Sequence, residues 1–234
     1  WPLSRKIFPK QFQKLTKNNQ KSLIQITQER VSKLENILNP IIICNEEHRF
    51  IVAEQMREIF VEPLTILLEP ISKNTAPAIL AATLYDYANN SDSVLLVAPS
   101  DHMIPDVTAF HKVVSLALKE VLDGKIITFG IKPTRPETGY GYIELGDPTS
   151  AFASKVKKFH EKPKRATAQK MIDAGNYVWN AGIFMFSVST IVKNFKLYAP
   201  EIYKHVSNSV SESTLDLDFI RFQKQSWSKL PDIS

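Results

Sequence analysis

Ser93-Val-Leu-Leu-Val-Ala-Pro-Ser-Asp-His-Met-Ile-Pro105 is the stretch on which the reading of the chain turns. Residues 94–98 are apolar without alternation, the pattern of a strand buried on both faces and hence of a central parallel strand. The chain then turns polar at once, through Ser100, Asp101 and His102. In sheets of that kind, ligands bind outside the carboxyl ends of the strands. A carboxylate placed there can hold Mg2+, which takes oxygen ligands and keeps several waters and substrate phosphates. Two plainer readings stay open. Ser100 or Asp101 caps the helix that follows, and His102 is a packed loop histidine rather than a second polar contact.

Outward from this strand, short β-branched runs alternate with amphipathic stretches. Strands are expected at 41–44, 65–68, 93–98, 126–131, 155–160 and 182–187. Ser22 and Gln25 form a capping box that opens a helix to about residue 38. Asn45 caps a second helix to about residue 60. Thr75-Ala-Pro opens a third, with Pro77 in its first turn, and residues 107–122 form a fourth, stopped by Gly124. The alternation predicts an α/β fold: a Rossmann-like, mostly parallel or mixed sheet with helices on both faces. After Gly124 the helices shorten and strands sit closer to turns. We therefore expect one domain with a first half at 1–123 and a mixed-sheet second half at 124–234.

Composition narrows the function classes. The chain has 234 residues, 44% hydrophobic and 23% charged, which is ordinary globular usage. No apolar run approaches the roughly 20 residues that cross a bilayer, so no membrane partner is expected. Net charge is +5, with Lys scattered rather than striped, so no nucleic-acid face is indicated. The single Cys44 excludes an internal disulfide framework and suits a reducing, cytoplasmic compartment. All seven glycines lie between positions 124 and 182, so no glycine-rich phosphate cradle lies in the first 123 residues.

Further candidates follow or flank the other strands. Glu69 sits at the end of the 65–68 strand, and Asn74 and Thr75 at a helix start whose backbone N–H groups can meet a ligand; ordinary capping explains them too. Pro136-Glu-Thr-Gly-Tyr-Gly-Tyr-Ile-Glu144 puts glycines where backbone can approach a ligand, or is a hairpin turn. Glu161 and Lys162, adjacent at a strand end, should point to opposite sides, or be a surface ion pair and a solvated lysine. Asn180 and Gly182 precede an apolar strand, suiting sugar hydroxyls or an Asn-Ala-Gly turn.

Taken together these motifs carry a resemblance. WPLSRKIFPKQF (1–12), LEPISKNTAPAI (68–79), VAPSDHMI (97–104), PETGYGYI (136–143), FHEKP (159–163), VWNAGIF (178–184) and DLDFIRF (216–222) resemble the mannose-1-phosphate guanylyltransferase family, of the bacterial type often fused to a mannose-6-phosphate isomerase domain. The resemblance covers nearly the whole chain. It implies a nucleotide-diphospho-sugar transferase fold, GTP and mannose 1-phosphate as substrates, GDP-mannose and pyrophosphate as products, and Mg2+. Lys10 would neutralise the triphosphate with Arg5 in support, and Asp101 would hold the metal. Glu69, Asn74, Thr75, Ala76 and Ser100 would lie on the nucleotide side. Gly141, Tyr142, Glu161, Asn180 and Gly182 would lie on the hexose side, with Lys162 near the sugar phosphate.

The resemblance also implies that the segment opening this chain follows a first strand and a G-G-x-G-T-R-L loop, and that a second metal-binding aspartate comes later, in an N-D-x-G-x-W motif. The sequence alone leaves other readings open: transfer to another hexose 1-phosphate, a sugar-nucleotide-binding fragment without activity, or a basic nucleic-acid binder. A homodimer is one assembly it allows.

Overall fold

A computed structural model describes residues 4–5, 8–15 and 20–231. The first helix, α1 (Leu23–Val31), opens on the expected capping box, with the Ser22 backbone N–H donating to the Gln25 side chain at 2.9 Å. It ends well before residue 38. The Ser32 hydroxyl donates to the Glu29 carbonyl, the last turn tightens through Leu34 N–H to Val31 O, and Asn36 then enters the left-handed region. Strand β1 (Ile41–Asn45) leads through a 3-10 turn into α2 (Arg49–Glu58), with Asn45 capping as expected. Then come β2 (Thr65–Glu69), α3 (Thr75–Asn89), β3 (Val94–Val97) and α4 (Val107–Leu122). The second half adds β4 (Ile127–Ile131), β5 (Tyr142–Pro148), β6 (Ser154–His160), α5 (Arg165–Ala174) and β7 (Tyr177–Ser187). It closes with α6 (Val188–Tyr198), α7 (Pro200–Ser211), β8 (Thr214–Asp216), β9 (Phe219–Arg221) and α8 (Lys224–Ser228).

The strands form two sheets. The first has the order β1-β2-β9-β8, with β1, β2 and β9 parallel and β8 turned back as a hairpin. Alternation along its strands feeds two cores. Leu67, with Ile41 and Ile43 beside it, packs on Leu80, Val206 and Trp227, whereas Ile66 and Leu68 meet Phe12, Ile24, Val52 and Met56. Helices therefore cover both faces. A fully buried leucine such as Leu67 costs about 2–5 kcal/mol to truncate to alanine.

The second sheet has the order β3-β7-β5-β6, with β4 also paired to β7. Here the sequence reading needs correction. β3 is not a central parallel strand: it pairs antiparallel to β7, and its residues are only half-buried. An apolar run records contact on both faces, not the direction of its neighbour. The cover is α4, whose Phe110, Val114, Ala117 and Val121 pack on Ala181, Ile183 and Met185. The two halves of the chain interlock, because β3 joins the second sheet while β8 and β9 join the first.

Candidate functional site

Among the described residues, the opening stretch is anchored around Phe12. Arg5 and Phe8 exchange backbone hydrogen bonds, and Pro9 leads into a 3-10 turn at Lys10–Phe12. Phe12 is buried, and its carbonyl accepts from Gln55 Nε2 at 2.9 Å. Lys10 is thereby aimed at the end of β3, where its Nζ lies 2.6 Å from Asp101 Oδ2. Lys10 is 59% exposed, and a pair this wet adds about 0–1 kcal/mol to stability. Its meaning is chemical rather than structural. The exposed Arg5 lies on the same segment.

Asp101 does not cap the next helix. Asp106 does, accepting from the Ala109 N–H at 2.8 Å. Ser100 and Asp101 form a turn beyond β3. His102 Nε2 is 3.7 Å from Asp101 Oδ1, and burial lowers the imidazole's proton affinity, which favours the neutral ring.

Beneath this loop lies Arg30, which the sequence reading missed. It is 3% exposed, donates to the His102 carbonyl at 3.3 Å and to Thr27 Oγ1 at 3.2 Å, and stacks on Phe110. Its Nε has no hydrogen-bond partner among the described residues, and burial lowers its pKa. Its position was legible after all: Leu23, Ile24, Thr27 and Arg30 recur at helical spacing on one buried face.

The second group begins at Glu69, beside Asn45 in register; burial pushes the Cys44 thiol up to about 12, and the nearby Glu69 adds to the rise. Burial pushes the Glu69 carboxyl up to about 7, and its Oε1 has no hydrogen-bond partner among the described residues. Residues 70–74 form no regular element. Asn74 has a φ of +62° and makes no capping hydrogen bond, so the N–H groups of Thr75 and Ala76 at the start of α3 lack a side-chain cap from it. These residues all lie at the carboxyl end of β2.

The third group surrounds the middle of β7, which starts five residues before the expected 182. Asn180 and Gly182 are thus inside the strand. Thr128 of β4 opposes Phe184 and Gly130 opposes Asn180, so β7 carries extra residues between them and bulges. The Asn180 side-chain oxygen accepts from Thr128 Oγ1 at 3.0 Å and from the Gly182 N–H at 3.2 Å, and its own N–H donates to the Gly141 carbonyl at 2.8 Å. Gly182 has a φ of +65°, and a Cβ there would lie 3.6 Å from Pro99. That contact joins this group to the loop of Asp101. A Cβ at Gly141 would come within 2.5 Å of the Phe159 ring.

Two expectations change here. The Tyr142 side chain, expected on the hexose side, is fully buried, and its hydroxyl donates to the Glu137 carbonyl at 3.0 Å. Glu161 and Lys162 do not diverge: β6 has ended, Lys162 takes a φ of +41°, and the two side chains pair at 3.1 Å.

Among the described residues, no three His, Cys, Asp or Glu side chains gather to hold a metal. The fit to Mg2+ is that of one carboxylate, Asp101, for an ion that takes its other oxygens from phosphates and water. No helix among the described residues is long and apolar enough to cross a membrane.

Comparison with known proteins shows the family. Residues 1–230 match the Nucleotidyl transferase family. Mannose-1-phosphate guanylyltransferase from Salmonella montevideo is 43% identical over 240 residues, covering 100% of this chain and 50% of the relative. This chain therefore spans about half the length of the curated relatives it matches. The crystal structure of mannose-1-phosphate geranyltransferase from Thermus thermophilus superposes with a TM-score of 0.84 at 30% identity, covering 100% of this chain and 64% of that one. That of mannose-6-phosphate isomerase from Helicobacter pylori gives 0.83 at 31% identity, covering 97% and 86%. The fold, the order of the motifs and this match along nearly the full chain place the protein in the Nucleotidyl transferase family.

Proposed function

We propose that the protein transfers GMP from GTP to mannose 1-phosphate, releasing pyrophosphate and forming GDP-mannose. The observation that carries this reading is the Lys10–Asp101 pair beyond β3, a cation and a carboxylate held 2.6 Å apart where an α/β sheet receives its ligands. The similarity to a mannose-1-phosphate guanylyltransferase supports the choice of substrates.

In the reaction, a phosphate oxygen of mannose 1-phosphate attacks the α-phosphorus of GTP. A new P–O bond forms, the α–β phosphoanhydride bond breaks, and its electron pair leaves with pyrophosphate. No protein nucleophile is needed, so catalysis rests on positioning and charge neutralisation. Lys10 turns from Asp101 to the triphosphate, with Arg5 in support. Asp101 and Ser100 face the phosphates, and Asp101 would hold Mg2+, which supplies charge neutralisation at the phosphates when bound.

Glu69 accepts from guanine N1–H and N2–H2, paired donors that match an unpartnered carboxylate oxygen, with Asn74, Thr75 and Ala76 beside it. Gly141, Asn180, Gly182 and Glu161 face the hexose, and Lys162 its phosphate. Tyr142 supports them from the core by holding Glu137. The free, half-buried Cys44 suits a cytoplasmic enzyme.

Pyrophosphate release by the natural full-length protein, with mannose 1-phosphate, Mg2+ and GTP, ATP, dTTP or UTP in turn, tests the reading. Turnover should be fastest with GTP. Preference for another triphosphate, or for another hexose 1-phosphate, would overturn it.

A further inference from the structure

We propose that Trp227 is a positioning residue for the nucleotide-base side of the site. This rests on the reading of Glu69 and the start of α3 as that side. The loop between them, residues 70–74, is irregular and largely exposed, and it ends on Asn74 in the left-handed region. A segment about 150 residues away holds it. Where that segment enters, the Phe222 N–H donates to the Leu68 carbonyl at 3.2 Å. Trp227 Nε1 donates to the Ile71 carbonyl at 2.7 Å. On the far side Lys73 Nζ donates to the Leu230 carbonyl, also at 2.7 Å.

Trp227 is wholly buried and stacks on Phe222, ring centroids 5.0 Å apart. Its bulk belongs to the core shared with Leu67, Leu80 and Val206. Its N–H does something bulk cannot. A buried indole N–H needs an acceptor, and the acceptor here is the middle of the loop. The bond therefore fixes where the backbone runs between Glu69 and Thr75. Without it the loop samples other positions, and apparent affinity falls by the fraction of time spent in the competent one. The effect belongs to triphosphate binding, because neither Trp227 nor Lys73 is assigned to the hexose or to the phosphates being transferred.

Trp227→Phe keeps the aromatic bulk and removes the N–H. In the full-length protein, KM for GTP should rise roughly five- to tenfold, as expected if the competent population falls by that factor. kcat should stay within about twofold, and KM for mannose 1-phosphate should not move, since neither draws on this loop. Without any nucleotide, hydrogen exchange across residues 71–76 should quicken. Lys73→Met should shift KM for GTP the same way, and Lys73→Arg, which keeps a donor, should restore it. It removes no buried group, so it decides the matter should Trp227→Phe fail to fold. Loss of active fraction with both KM values and the exchange rates unchanged would make Trp227 a core residue only and overturn the proposal. If the wild type prefers a triphosphate other than GTP, the functional reading fails. The positioning claim is then tested with that triphosphate, and it too is overturned if its KM is unmoved.

Discussion

Glu69 is the residue at which burial and chemistry pull hardest against each other. Its carboxyl is pushed up to about 7 from an ordinary 4.5, by burial. The folded state thus favours the protonated form. This contribution to stability is complete below about pH 4.5 and is lost as pH rises through about 7, where the buried group must ionise. At ~1.4 kcal/mol per pH unit the full span is on the order of 3 kcal/mol. Glu69→Gln should therefore raise Tm above pH 7 by several degrees and flatten the pH dependence of stability between about 4.5 and 7, as thermal melts across that range would read. Equal gains at pH 5 and pH 8 would show that the carboxyl is not held near neutrality. A group kept at such cost, with an oxygen left unpartnered, fits a residue retained for its ligand. Glu69 and Asp101 were both legible in the sequence, since each comes just after an apolar run. Arg30 was not singled out, because nothing next to it marks a buried cation, and only its helical spacing gives it away.

At the scale of elements, β7 shows how a local signal misleads. Asn180-Ala-Gly182 has the composition of a turn, and the sequence reading began the strand there. The structure carries the strand through it as a bulge, with Trp179, Ala181, Ile183 and Met185 alternating inward. The period of two was present in the sequence, and the glycine interrupted it. That glycine is required. Its φ of +65° is strained for any residue with a Cβ, and its neighbour is Pro99, two residues before Asp101. Gly182→Ala should destabilise the fold by about 1–2 kcal/mol and disturb the Asn180 bonds to Thr128 and Gly141. Denaturant melts should show the loss, and kcat/KM for mannose 1-phosphate should fall further than that for GTP. An alanine variant with wild-type stability would mean that the bulge can be remade without glycine. β3 teaches the complementary lesson. Its existence and its ends were legible to within a residue or two, but the direction of its partner was not. An apolar run says nothing about which edge a strand offers to which neighbour.

For the whole molecule, the class of fold and the order of the motifs could be read from the chain, because they depend on local period and on the few residues just past each strand. Long-range closure could not. β9 pairs with β2 across some 150 residues, and Trp227 reaches Ile71 over a similar span. Neither leaves a trace in local composition. Other long-range contacts, Gln55 to Phe12 and Gly182 beside Pro99, bring the opening segment and the β7 bulge to the end of β3, where Lys10 meets Asp101. In the proposed reaction this pair handles the phosphates during transfer. The measurement that tests it most directly is kcat/KM for GTP-dependent pyrophosphate release by Lys10→Met beside the wild type, with Tm measured on both. A side chain 59% exposed should leave Tm within a degree or two. Removing one preorganised cation from the transferring phosphates should lower kcat/KM about a hundredfold or more. Wild-type kcat/KM in a folded Lys10→Met protein would contradict the account.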